Sequence, residues 1–155
     1  DSRRVDLAEL AGDVVGEQTA AADAAGVELD LDLGEGIVMG DRALLWRLIG
    51  NLVENAIRYN RPGGWARLKV ATAGPNALLN VENSGPVIAP EMVDTLFEPF
   101  QRGVSGPRSR TSGHGLGLTI VRSVAAAHDG EVTAIALPEG GLTVTVRIPA
   151  ATTPG

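Results

Sequence analysis

Apolar residues recur at helical spacing along residues 5–25, at Val5, Leu7, Leu10, Val14 and Val15. The run ends at Gly26 and predicts a helix with one buried stripe. Val27–Leu33 alternates apolar and acidic residues, which predicts a strand with one buried face. Gly34-Glu-Gly36 then turns the chain into a short apolar segment, Ile37–Met39. Asp41 stands at the N-cap position of the strongest helical pattern. Its apolar positions are Leu44, Leu45, Leu48, Ile49, Leu52, Val53, Ala56 and Ile57, and Pro62-Gly63-Gly64 stops it. Ala66–Ala73 and Ala77–Val81 flank the turn Gly74-Pro75-Asn76 and predict a hairpin, and a short helix begins near Pro90. Residues 101–113 carry few apolar side chains and many Gly, Ser and Arg. They predict a long loop, a length that inside a compact domain points to a function. A helix from about Leu116 to His128 follows, then a closing hairpin, Glu131–Leu137 and Leu142–Ile148, around Pro138-Glu-Gly-Gly141. The order predicts an α+β fold: one mixed sheet of about five strands, covered on one face by about three helices.

Composition narrows the classes. The 155 residues suffice for one domain with a real core, and 44% apolar against 21% charged residues is the balance of a globular chain. No stretch approaches the length of a membrane-spanning helix, so this piece is expected not to be membrane-embedded. The absence of cysteine excludes disulfides and thiolate zinc sites, and two histidines leave little room for a histidine-built metal site. A net charge of −6 argues against a nucleic-acid partner. A polyanionic nucleotide stays compatible with that charge where magnesium and backbone amides compensate locally.

Four segments carry candidate chemistry. Asn51, Asn55 and Arg58 fall within an arc of about 60° at the margin of the helix's apolar face, at about 100° per residue. Asparagine is a poor helix-interior residue, so two of them one turn apart ask for a reason. Buried amides bonding to nearby backbone are one reason; a carboxamide oxygen for a hard cation, with a phosphate-binding arginine beside it, is the other. Gly113-His-Gly-Leu-Gly-Leu118 runs into a helix, where bare backbone amides and the helix N-terminus suit a phosphate. It lacks the Gly-Lys-Ser/Thr of a P-loop and follows no strand, so it is neither that motif nor the dinucleotide fingerprint. Val81-Glu-Asn-Ser-Gly-Pro86 ends a strand; Asn83 offers an amide to a base edge and Gly85 room for a flat ring, although taken alone the segment reads better as a plain strand-ending turn. Leu96-Phe-Glu-Pro-Phe-Gln-Arg102 holds both phenylalanines, Phe97 and Phe100, as core or as a hinge for the loop beyond.

Taken together and in this order, the segments resemble the catalytic domain of bacterial sensor histidine kinases, within the gyrase, Hsp90, histidine kinase and MutL ATP-binding superfamily. Asn51–Tyr59 looks like the N box, Val81–Ile88 the first glycine box, Phe97–Phe100 the F box and Gly113–Leu118 the second glycine box. The match covers nearly the whole chain, from Val5 to Pro149. It implies a Bergerat-type two-layer sandwich that binds Mg-ATP between helices and a lid at residues 101–112. By that analogy Asn55 holds magnesium, and Arg58 and Tyr59 lie against phosphates and nucleotide. Asn83 stands for the adenine-reading aspartate, with Gly85, Ile88, Phe97, Phe100 and Arg102 around the nucleotide. Gly113, His114, Gly115, Leu116, Gly117 and Leu118 form the phosphate side, and Thr143 the adenine-side threonine of the closing strand. Residues 1–10 would be linker from a dimerisation domain, and residues 1–155 one catalytic domain.

Two departures stand out. The family's Asp-x-Gly-x-Gly is here Asn83-Ser-Gly85-Pro-Val87, without the carboxylate or the second glycine. An amide oxygen still accepts from the adenine amino group, at a cost of about 1 kcal/mol for the lost charge assistance. Superfamily members that hydrolyse ATP carry a glutamate base one turn before the magnesium asparagine; that position is Asn51, which cannot take a proton from water. The resemblance therefore implies transfer to a reactive nucleophile, by positioning and charge neutralisation. The nucleophile would be a histidine on the parent's own dimerisation domain. Neither His114 nor His128 has the family's phosphoacceptor context, and both read as site-lining or surface residues. The expected partners are that domain and a downstream response regulator. The fragment should be monomeric and cytoplasmic, its parent a homodimer in the bacterial plasma membrane. The alternatives are an anti-sigma-type serine kinase and a degenerate nucleotide-binding module without kinase activity.

Overall fold

The computed structural model describes residues 2–93 and 113–151, without the side chains of Pro90 and residues 113–117. The elements are β1 (Arg3–Asp6), α1 (Leu7–Ala25), β2 (Glu28–Leu33), β3 (Ile37–Gly40), α2 (Arg42–Arg58), β4 (Trp65–Ala73), β5 (Asn76–Asn83), α3 (Pro90–Val93), α4 (Gly113–Ala127), β6 (Glu131–Ala136) and β7 (Leu142–Pro149). Five strands form one mixed sheet in the order β2-β4-β5-β7-β6, and β1 and β3 make a separate two-stranded ribbon. Among the described strands only the β2–β4 pairing is parallel; the two predicted hairpins, β4–β5 and β6–β7, are antiparallel, as is β5–β7 between them.

Helix α1 begins where the Asp6 carboxylate accepts the amides of Ala8 and Glu9, at 3.0 and 3.3 Å. It ends at Gly26, whose left-handed φ of 73° lets the amide of Val27 reach back to the Ala22 carbonyl. Helix α2 is capped in the same way by Asp41, which accepts from the Leu44 amide at 3.1 Å. That bond is the main reason the Asp41 carboxyl lies below its ordinary value. Helix α2 lies between α1 and α4, and all three cover one face of the sheet. Their buried stripes meet Ala66, Leu68 and Val70 of β4, Ala77, Leu79 and Val81 of β5, and Val144, Val146 and Ile148 of β7. The opposite face is polar: Arg67, Lys69, Asn80, Glu82, Thr145 and Arg147 stand there by strand alternation.

Strand β1, which the sequence pattern does not predict, pairs from Arg3 with β3, and Val5, Leu7 and Leu10 lie in the core. A four-residue strand with one apolar side chain gives no periodic signal. Strand β2 forms as expected, yet its apolar face is covered only at its start: Leu29 packs against the core, while Leu31 and Leu33 are at 45% and 38% exposure. It is the sheet's edge, and α1 meets Leu33 across Gly12, which has no side chain to close the gap. Helix α4 begins at Gly113 and not near Leu116, so the glycine-rich segment forms its first turns and not the approach to them.

Candidate functional site

The C-terminal half of α2 lies on the end of β5, and this junction assembles the candidate site. Asn55 is at 9% exposure among the apolar side chains of α2, and its Nδ2 has no hydrogen-bond partner among the described residues. A buried amide nitrogen left unpaired costs about 1–3 kcal/mol, so chains rarely keep one without a use for it. Asn51, one turn earlier, is half-buried. Arg58 is exposed and pairs loosely with Glu54 at 3.6 Å, an arrangement weak enough to yield to a more strongly charged partner. Tyr59 caps the helix, its amide donating to the Asn55 carbonyl at 2.9 Å. Burial pushes its phenol up to about 12, with the Arg58 charge opposing, so it is a neutral donor at physiological pH.

On the strand side, Asn83 is at 5% exposure and its Nδ2 donates to the Ser84 carbonyl at 2.7 Å. A carbonyl accepts only, so the bond fixes the amide's orientation and leaves Oδ1 as the end available to a ligand's donor. The oxygen therefore offers the acceptor that a carboxylate would, without the charge. Gly85 is required by contact: a Cβ there would lie 2.6 Å from the Tyr59 carbonyl oxygen. Ile88 is half-buried against the core, and Val87, which replaces the second glycine, is 70% exposed and blocks nothing.

A small polar cluster joins the two sides and was not anticipated from the sequence. Ser84 Oγ donates to Asn60 Oδ1 at 2.7 Å and accepts from the Trp65 amide at 2.8 Å. Asn60 Nδ2 donates to the carbonyls of Ala56 and Trp65, at 3.1 and 2.8 Å. Arg61 Nη1 reaches the Gly85 carbonyl at 3.3 Å. The turn Gly140-Gly141 completes the cluster, because Cβ atoms there would strike the backbone carbonyls of Gly85 and Asn83. The sequence signals were a pair of glycines beyond what a hairpin needs and a polar residue on each side of the predicted elements.

Of the other candidates, Thr143 is not brought to this group. It stands opposite Glu82 in the β5–β7 register, on the polar face, and binds Asn80 Nδ2 at 2.9 Å. Leu142, its neighbour in the alternation, is the residue opposite Asn83. Leu118 buries its side chain in the core. Gly113, His114, Gly115, Leu116 and Gly117 contribute described backbone, in the first turns of α4. Phe97, Phe100, Arg102 and the expected lid at 101–112 lie outside the described residues. Among the described residues no group of three or more His, Asp or Glu side chains is arranged for a metal. A divalent ion here would depend on an amide oxygen such as that of Asn55 and on the phosphates of its substrate, which is how magnesium commonly binds. The unpartnered amide fits that use: its oxygen suits the cation and its nitrogen a phosphate oxygen. No helix among the described residues is long and apolar enough to cross a membrane.

The chain is similar to known proteins. Residues 40–152 match the family described as histidine kinase-, DNA gyrase B- and HSP90-like ATPases. The chain is 42% identical over 150 residues to the sensor protein CutS of Streptomyces coelicolor, covering 96% of this chain and 36% of that protein. It is 37% identical over 147 residues to the sensor-like histidine kinase SenX3 of Mycobacterium tuberculosis, covering 94% of this chain and 36% of the relative. The chain thus spans little more than a third of each of these two relatives. Among solved structures it resembles the mycobacterial sensor histidine kinase MprB, with a TM-score of 0.83 and 26% identity over 99% of this chain and 100% of that one. The catalytic domain of histidine kinase ThkA shares the fold, with a TM-score of 0.81 at 22% identity over 97% of each chain.

Proposed function

The chain belongs to the histidine kinase-, DNA gyrase B- and HSP90-like ATPase family, and from that premise we propose that it binds Mg-ATP and donates the γ-phosphate to a histidine on a separate dimerisation domain. The observation that carries the reading is the buried amide of Asn55, whose nitrogen has no partner among the described residues, in the helix that also bears Asn51 and Arg58. The relatives named as sensor kinases supply the class of acceptor.

Each residue then has a task. Asn83 accepts the exocyclic amino group of adenine through Oδ1, and guanine, which presents an oxygen there, is disfavoured. Asn55 holds magnesium, which when bound neutralises phosphate charge. Arg58 leaves Glu54 for a phosphate, the neutral Tyr59 hydroxyl lies beside the nucleotide, and the first amides of α4 receive phosphate oxygens. Asn51 takes no proton from water, so the γ-phosphate stays on the nucleotide until a nucleophile arrives. We place residues 101–112 as the lid, with Phe97, Phe100 and Arg102 at its root. The catalytic part would be monomeric and cytoplasmic, and its parent a membrane-anchored homodimer that passes the phosphate to a response regulator.

The test is transfer. The chain is incubated with γ-labelled ATP, magnesium and purified histidine-bearing dimerisation domains from several sensor kinases. The reading expects acid-labile label on the histidine of at least one. Nucleotide binding with no transfer to any of them would leave a binding module, and label on serine would point to the anti-sigma class.

A further inference from the structure

His128 sits just beyond α4, half-buried, where the sequence reads as an ordinary helix end. Its Nδ1 lies 2.8 Å from the Val124 carbonyl, and the Asp41 backbone amide donates to its Nε2 at 3.0 Å. A carbonyl only accepts, so Nδ1 carries the hydrogen; an amide only donates, so Nε2 is bare. The two bonds therefore select one neutral tautomer, with both ring nitrogens in use. The Asp41 amide precedes the first helical turn and has no partner within α2, whose cap bond is made by the Asp41 side chain. Gly40 makes the contact possible, because a Cβ there would overlap the imidazole ring. The chain after the ring is also fixed: the Gly130 amide donates to the Ala125 carbonyl at 2.8 Å, and Asp129 takes a left-handed φ of 62°.

We infer that His128 is a positioning residue, a clasp that sets the angle between α2 and α4. The inference rests on reading those helices as the two that hold the nucleotide. Asp41 and Asn55 are 14 residues apart in the sequence, which at 1.5 Å per residue is about 20 Å of helix. The clasp joins the start of α2 to the end of α4. The residues read as binding the nucleotide lie at the other ends, Asn55 and Arg58 in one helix and the glycine segment in the other. Over 20 Å a tilt of about 3° moves the far end by about 1 Å, a displacement large enough to spoil a phosphate site. Leucine and valine packing between the helices resists separation, but apolar contacts alone specify an angle weakly; a directional bond at one end specifies it.

The test uses three chains: the native one, His128→Ala and His128→Gln. Each is titrated with Mg-ATP by calorimetry at a temperature far below its own unfolding midpoint, and the midpoint is recorded separately. The clasp predicts about ten-fold weaker binding by folded His128→Ala. It predicts substantial recovery in His128→Gln, whose amide oxygen can accept the Asp41 amide. A lower midpoint with unchanged affinity, or weakened binding that glutamine does not restore, would overturn it. Nitrogen-15 spectra of the native imidazole give a readout independent of nucleotide: Nδ1 protonated and Nε2 bare is expected, and the other tautomer would refute the clasp. If the native chain takes up no Mg-ATP while its imidazole has the expected tautomer, the nucleotide reading fails and the bond itself stands.

Discussion

Asn55→Leu separates a ligand-binding amide from a structural one, because the two roles predict opposite signs. Asn55 Nδ2 is buried without a partner among the described residues. Leucine has nearly the same length and branching, lies naturally beside Leu52 and Ala56, and has no polar group to desolvate. Removing the unpaired amide recovers about 1–3 kcal/mol. Leucine's better helix propensity adds a few tenths, about 0.5 kcal/mol at most. Imperfect fit of the second branch in a packed interior takes back about 1 kcal/mol. The net expectation is a gain of about 1–2 kcal/mol, or about 3–6 °C in the midpoint for a chain of this size. Denaturant unfolding followed by circular dichroism measures it, read as a shift in midpoint at unchanged slope. Calorimetric titration of the same variant should show magnesium-dependent ATP affinity lost. A variant destabilised by 1 kcal/mol or more would mean that the amide has a structural partner, and the argument for a site at Asn55 would fall.

Other consequences can be checked more briefly. Asn83→Asp should bind ATP a few-fold more tightly, through a charge-assisted bond, and fold less stably because the buried bond to the Ser84 carbonyl becomes a repulsion; unchanged affinity would remove Asn83 from base reading. Tyr59 is the single tyrosine, so ultraviolet absorbance titration reports on it alone. Its midpoint should fall near 12, and the stability it contributes, complete below about pH 10, should be lost as pH rises towards that value; a midpoint near 10 would mean the ring is solvated. The Asp41 cap behaves in the opposite sense, because its folded-state value is depressed from 3.8. The stability difference between the native chain and Asp41→Ala should be complete well above pH 4 and vanish as pH falls through the depressed value. A difference that persists in strong acid would show that the cap does not act through its charge.

Much of the fold was legible because it rests on local signals. Helix α2 declares itself by eight apolar positions at helical spacing and by Asp41, and both hairpins declare their turns. The parallel β2–β4 pairing was not legible, since alternation tells which side chains share a face but not whether that face is covered. Gly12 in α1 leaves Leu33 exposed, a matter of which residue meets which across elements. The N-terminal strand was missed because Val5 is its only apolar residue. Family analogy gives Thr143 no face; the alternation Leu142, Thr143, Val144 assigns it to the polar side of β7, where it stands. At the site, Asn55 stands out in the sequence because asparagine is unexpected in a helix interior, and Asn83 is singled out through the family resemblance; the roles of both are proposals. Asn60, Ser84 and His128 do not stand out, because each matters through a bond to a residue distant in sequence.

The central claim is that this chain holds ATP ready for a histidine and does not release phosphate to water. Phosphorus-31 spectra of one reaction, containing the chain, Mg-ATP and an accepting dimerisation domain, measure both fates at once. The account predicts a growing phosphoimidazole signal matched by loss of ATP, with inorganic phosphate at the level of a blank when the acceptor is left out. Inorganic phosphate that accumulates at the same rate with and without the acceptor, and no phosphoimidazole, would contradict it.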